Sequence, residues 1–196
     1  MVKVNKIYSV KEIFLTLQGE GYNTGTPAVF CRFSGCNLWN GIEKDRKKAV
    51  CSFCDTDFNG VDGINGGKYK LGDLVKIINS LWPKKKKYKF VVFTGGEPIL
   101  QLDSNLIKKI KSHGFKVAVE TNGTLPLPKE IDWVCVSPKI KSKLIVKKGN
   151  EIKVVFPQKS LVLSEYEKLN FQHFYIQPLE NKDIVLNTKK SINYVL

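Results

Sequence analysis

Short apolar runs rich in β-branched and aromatic residues recur along the chain: Ala28–Phe33, Phe90–Phe93, Lys116–Glu120, Trp133–Val136, Lys153–Phe156 and Phe174–Ile176. Their length and composition predict buried strands. Between them Leu71, Leu74, Val75, Ile78 and Leu81 repeat at helical spacing, as do Leu106, Ile107 and Ile110, and the residues after Glu180 read as most of one helix. Strands alternating with helices imply right-handed crossovers and a parallel sheet, in which functional groups gather at the carboxyl ends of the strands. The segments richest in chemistry obey that rule. Arg32 to Cys36, Thr94 to Glu97, Glu120 to Asn122, Ser137 to Lys139 and Gln177 to Glu180 all lie at or just past a predicted strand end. The pattern therefore predicts an α/β fold with one site lined by five strand ends.

Composition narrows the class. At 196 residues the chain suits a single domain, 1–196, able to bury most of its apolar surface in one core. No apolar run approaches the length of a membrane helix. The net charge of +14 raises the question of nucleic acid, yet of 32 basic residues only Arg32 and Arg46 are arginine, the better match to phosphate. The dense run Lys84–Lys87 with Lys89 falls between a helical segment and a strand, where a solvated loop is expected, so no direct nucleic-acid partner is expected. Five cysteines is an odd number, and nothing at the amino terminus looks like a signal peptide, so a disulfide framework is disfavoured and a reducing, cytoplasmic setting expected.

Three of those cysteines, Cys36, Cys51 and Cys54, are spaced C-x14-C-x2-C. Three thiolates can hold an iron-sulfur cluster and leave one iron without a protein ligand, where a cofactor could bind. Zinc remains open, because Cys-x2-Cys pairs are common in zinc sites, although Cys31, His113 and His173 are poor candidates for a further ligand. Unligated cysteines are a third reading. Cys31 and Cys135 fall inside predicted strands and read as core. Gly95-Gly96 after a strand lets backbone approach a ligand closely, and is equally at home in a plain strand-to-helix turn. Arg32 stands inside an apolar strand and needs an anionic or polar partner, either Glu20 in a structural ion pair or a bound ligand. Thr56 would ordinarily cap a turn, and Phe53 would ordinarily be core.

The motifs Leu17-Gln18-Gly19-Glu20-Gly21, Phe33-Ser34-Gly35-Cys36-Asn37-Leu38-Trp39, Cys54-Asp55-Thr56-Asp57-Phe58, Thr94-Gly95-Gly96-Glu97-Pro98, Glu120-Thr121-Asn122-Gly123-Thr124, Ser137-Pro138-Lys139 and Gln177-Pro178-Leu179 resemble, in order, those of the 7-carboxy-7-deazaguanine synthase family of radical S-adenosylmethionine enzymes. The resemblance implies a partial, curved parallel β/α barrel and a 4Fe-4S cluster on Cys36, Cys51 and Cys54. It implies S-adenosylmethionine on Phe53, Asp55, Gly96, Ser137, Pro138, Lys139, Gln177, Pro178, Leu179 and Glu180, with Asn122 reaching the ribose. Magnesium would use Thr56 and arrive with the substrate. A pterin, 6-carboxy-5,6,7,8-tetrahydropterin, would lie on Leu17, Gln18, Gly19, Thr94 and Glu20, its carboxylate on Arg32, and would contract with loss of ammonia to 7-carboxy-7-deazaguanine. No side chain is singled out as acid or base. A homodimer and a low-potential reductant of flavodoxin type are expected as partners. The family's carboxyl-terminal tail finds no counterpart after Leu196, so the carboxyl terminus reads as truncated. A glycyl-radical activating enzyme shares part of the motif set, and a zinc-bound basic RNA-binding module is the reading outside enzymes.

Overall fold

In the computed structural model, which describes residues 6–196, eight strands make one sheet. They are β1 (Ile7–Leu17), β2 (Pro27–Phe33), β3 (Gly67–Lys70), β4 (Lys89–Gly95), β5 (Phe115–Thr121), β6 (Trp133–Val136), β7 (Lys148–Phe156) and β8 (Asn170–Pro178). Four helices accompany them: α1 (Leu71–Leu81), α2 (Ser104–Lys111), α3 (Leu163–Glu167) and α4 (Ile184–Val195). The strand order is β3-β1-β2-β4-β5-β6-β7-β8, so β3 and β8 are edges and the barrel is open. From β2 to β8 every neighbouring pair is parallel, as the sequence pattern predicts.

Two features depart from that pattern. The edge is antiparallel: β1 pairs with β2 and with β3 in the opposite sense, making the sheet mixed. β1 escaped the periodicity reading because two adjacent charged residues, Lys11 and Glu12, interrupt it. A register shift between Val10 and Glu12 absorbs them. The chain also passes from β5 to β6 and from β6 to β7 through loops without helices, so the alternation is less regular than expected.

The two faces of the sheet have different tasks. Side chains alternate along each strand, and on the outer face Val29, Cys31, Phe93, Val117 and Val119 join one core with Leu74, Val75 and Ile78 of α1 and Leu106, Ile107 and Ile110 of α2. Each fully buried aliphatic side chain there contributes roughly 1.5–3 kcal/mol. Asp103 starts α2 by accepting from Leu106 N at 3.0 Å, and is itself held by the Tyr8 hydroxyl at 3.0 Å. A smaller core, Val136, Val146, Ile152, Val154, Leu163 and Phe171, packs α3 against β7 and β8. The inner, concave face carries Arg32, Thr94, Glu120 and Lys153 and stays open. Near the amino ends of β6 and β8 it is filled instead: Tyr22 stacks on His173 at 4.2 Å and on Trp133 at 5.0 Å.

Candidate active site

A cavity of ≈ 960 Å³ occupies the concave face. It is walled by the carboxyl-terminal ends of β2, β4, β5, β6, β7 and β8 and by the loop that carries the cysteines. Charge is distributed unevenly along it.

At one end lie the thiols. Cys51 hydrogen-bonds to Cys54; that bond is the main influence lowering the Cys54 pKa to about 6, while the donor Cys51 is pushed up by the same bond and by burial. Cys36 is raised by burial against the pull of two backbone N–H groups, one of them Leu38 N at 3.4 Å from its sulfur. The loop is pinned from outside by Arg46, whose Nη1 donates to Cys54 O at 2.7 Å and Ser52 O at 3.2 Å while its guanidinium lies 4.2 Å over the Trp39 ring. From inside it is pinned by Asn37, which donates to Thr124 Oγ1 at 2.8 Å and accepts from Asn122 Nδ2 at 2.9 Å.

The Gly95-Gly96 turn explains why this loop sits where it does. Gly95 has φ +149°, and a side chain on it would strike the Phe33 backbone. A Cβ on Gly96 would collide with the Gly35 carbonyl and come within 2.7 Å of Cys36 Cβ. Glu97 then anchors the turn: fully buried, it accepts from Thr121 Oγ1 at 2.7 Å, Asn122 N at 2.8 Å and Ile99 N at 3.0 Å. Burial raises its pKa even so, the three hydrogen bonds pulling the other way.

At the other end the cavity is a charged network. Arg32 Nε pairs with Glu12 Oε1 at 2.8 Å. Lys153, almost buried, bridges Glu20 at 2.7 Å and Glu120 at 3.2 Å. Burial acts to lower the Lys153 pKa, but the adjacent Glu120 and Glu20 outweigh it and the net shift is upward, so the ammonium is charged at any ordinary pH. Glu120 also receives Gln18 Nε2 at 3.0 Å and the Thr94 hydroxyl at 3.3 Å. Lys139, near the thiols, donates to Ser137 Oγ at 2.8 Å and stands 5.7 Å from the Phe53 ring centre.

The radical S-adenosylmethionine superfamily model matches residues 46–135. A 7-carboxy-7-deazaguanine synthase of Burkholderia multivorans is 57% identical over 188 residues, covering 95% of this chain and 90% of that protein. One of Caulobacter vibrioides is 52% identical over 190 residues, covering 96% and 90%. The chain belongs to the 7-carboxy-7-deazaguanine synthase family. The crystal structure of QueE from Escherichia coli superposes with a TM-score of 0.70 at 26% identity, covering 96% of this chain and 89% of that one, in agreement with the open α/β barrel.

Membership in the radical S-adenosylmethionine superfamily implies a 4Fe-4S cluster and S-adenosylmethionine, and the donor set suits the cluster. Three soft sulfur donors share one neighbourhood, with both Cys36 and Cys51 feeling the charge of Cys54. Among the described residues no three His, Cys, Asp or Glu side chains, these cysteines included, are gathered closely enough to hold a single metal ion.

Nearly all residues singled out in the sequence of this synthase-family chain line the one cavity: Leu17, Gln18, Gly19, Glu20, Arg32, Cys51, Phe53, Cys54, Asp55, Thr56, Thr94, Gly96, Asn122, Ser137, Lys139, Gln177, Pro178, Leu179 and Glu180. Cys36 and Pro138 lie outside its lining. Leu179 is held from both sides, its N–H on Phe156 O at 2.7 Å and its carbonyl on Asn187 Nδ2 of α4 at 2.8 Å. The Thr56 hydroxyl lies 3.4 Å from Asp55 Oδ1 and also bonds toward the Cys54 sulfur, helping to lower that thiol's pKa.

Three readings need correction. Arg32 pairs with Glu12 and not Glu20, because Glu12 lies opposite it in the β1–β2 register while Glu20 belongs to Lys153. The backbone of Gln18 is not free for a ligand: it closes the β1–β2 turn, donating to Thr26 O at 2.9 Å and accepting from Gly25 N at 2.8 Å. Cys135 is buried as expected but forms part of the cavity wall. Glu12, Glu120 and Lys153 also line the cavity; the sequence singled out neither Glu12 nor Lys153, and Glu120 only as part of the Glu120–Asn122 strand end. For two of them the signal existed, since Glu120 and Lys153, like Arg32, are charged residues next to apolar strand sequence.

Proposed function

We propose that the protein converts 6-carboxy-5,6,7,8-tetrahydropterin to 7-carboxy-7-deazaguanine and ammonia in queuosine precursor synthesis. The observation that carries this reading is that the thiol loop and the Arg32–Thr94 region open into one cavity. When bound, the cluster on Cys36, Cys51 and Cys54 and its S-adenosylmethionine supply the one-electron reduction and hydrogen-atom abstraction that a radical ring contraction needs.

The chain's own residues position and shield. Arg32, with Nε on Glu12, presents its terminal amino groups to the substrate carboxylate, where a planar fork holds two oxygens at once. Thr94, Gln18, Leu17 and Gly19 fit the ring beside it. Lys153 pairs with Glu20 and Glu120, whose carboxylate oxygens make this end of the cavity a source of acceptors for the N–H groups of a pterin. Phe53 packs on adenine beside Asp55, with Asn122 toward the ribose. Gly96, Ser137, Pro138, Lys139 and the Gln177–Glu180 segment complete the S-adenosylmethionine site, Lys139 offsetting its carboxylate. Thr56 gives magnesium one hard oxygen, which with substrate oxygens and water makes a site only when substrate is present. The aromatic stack of Tyr22, Trp133 and His173 lies at the opposite end of the barrel.

The same reading takes residues 1–196 as one catalytic domain working as a homodimer in the cytoplasm, supplied with electrons by a low-potential protein and without a direct nucleic-acid partner. Among the described residues no helix is long and apolar enough to cross a membrane. The test is anaerobic reconstitution with iron and sulfide, followed by incubation with the pterin, S-adenosylmethionine, magnesium and dithionite. 7-Carboxy-7-deazaguanine is expected. A fully cluster-loaded protein that forms none would overturn the assignment.

A further inference from the structure

One outer surface adjoining the thiol loop is the 3-10 turn Glu43–Lys48 with its flanks, tied to it by Arg46. Lys44, Lys47 and Lys48 are exposed there, and two apolar side chains, Ile42 and Val50, are 45% and 37% exposed among them. Glu43 is taken by Arg46 at 2.8 Å and Asp45 by the Asn40 amide at 2.7 Å, so the uncommitted charge is positive. Arg46 joins this surface directly to the cysteine loop through the carbonyls of Ser52 and Cys54. The cavity uses none of these lysines.

We propose that the Ile42–Val50 face is the docking surface for an acidic protein electron carrier, one whose redox group is ringed by carboxylates. The inference rests on the function proposed above, which requires an external one-electron donor. Electron transfer weakens steeply with distance, so the donor has to seat beside the cysteines. A small apolar centre with a charged rim suits a transient redox complex, whose interfaces lie at the low end of the size range. The denser run Lys84–Lys87 with exposed Tyr88 does not qualify: it precedes the amino end of β4, whereas the thiols sit past the carboxyl end.

The test uses the cluster-loaded enzyme with an acidic flavodoxin as probe. Two triple variants carry the same charge change, Lys44→Glu/Lys47→Glu/Lys48→Glu on the proposed face and Lys84→Glu/Lys85→Glu/Lys86→Glu on the remote run. Calorimetric titration with oxidised flavodoxin should show the first variant binding about ten-fold more weakly at low salt, with the loss shrinking at about 0.3 M salt, and the second within about two-fold of wild type. S-adenosylmethionine cleavage driven by flavodoxin should fall in the first variant alone, while cleavage driven by dithionite stays unchanged in both. Unchanged binding by the first variant, or equal weakening in both, would show that only net charge attracts the carrier and overturns the docking site. Failure of the wild-type enzyme to form 7-carboxy-7-deazaguanine with dithionite would instead count against the proposed function.

Discussion

Arg32 and Glu12 face each other across the antiparallel β1–β2 pair, joined through Nε and Oε1 at 2.8 Å. That contact engages one edge of the guanidinium and fixes its plane. On the other side of β2, Arg32 lies in register with Thr94, so the two residues assigned to the substrate share one level of the barrel.

Arg32→Lys keeps the charge and loses the fork. Substrate affinity should fall by about 1–3 kcal/mol while S-adenosylmethionine affinity is unchanged. Glu12→Gln should produce a smaller loss in the same direction, because it frees the guanidinium plane without removing it. Calorimetry with each ligand separately checks both; equal weakening of the two ligands by Arg32→Lys would mark the residue as structural.

Cluster loading should depend on the thiols in the loop and on the glycine packed against them. Cys36→Ala, Cys51→Ala and Cys54→Ala should each abolish the 4Fe-4S signal after reconstitution, and Cys31→Ala and Cys135→Ala should retain it. Gly96→Ala forces a methyl group against Gly35 and Cys36. It should therefore lower iron and sulfide content as well as cofactor binding. Full cluster content in Gly96→Ala with only the cofactor lost would mean that the turn serves the ligand and not the loop.

Lys153→Met leaves Glu20 and Glu120 without their shared cation. Removing one member of a buried ion pair costs about 3–5 kcal/mol, and with Glu20 still half exposed the loss should reach about 3 kcal/mol at most. Adding Glu120→Gln should restore much of it. Urea denaturation of the single and double variants gives the coupling between the two residues.

Glu97 makes stability depend on pH in an unusual direction for a carboxylate. Its pKa in the folded protein lies above the ordinary 4.5, so between the two values the folded state holds the extra proton. Stability contributed by this group is therefore complete below 4.5 and declines as pH rises through the raised value. The stability gap between wild type and Glu97→Gln should narrow over that interval. Near neutral pH Glu97→Gln should still cost about 1–3 kcal/mol, since an amide cannot accept all three hydrogen bonds. Denaturation midpoints at stepped pH decide it; a gap that widens with rising pH would contradict the sign.

The chain alone determined the elements whose signal is local. Strands β2, β4, β5 and β6 and helices α1 and α2 are short apolar runs or amphipathic repeats that any neighbour would accept, and the spacing of Cys36, Cys51 and Cys54 is legible without a fold. Because a parallel sheet gathers its strand ends, the sequence also indicated that Arg32, Thr94, Asn122, Ser137 and Gln177 would meet. The tertiary structure alone decided which charges pair. Glu12 reached Arg32 because a bulge in β1 set the register, and Lys153 reached Glu20 because the turn after β1 folds across the barrel, contacts separated by 20 and 133 residues. Such partners leave no periodic trace in the chain. They depend on strand register and loop closure, which are settled only when the whole sheet forms.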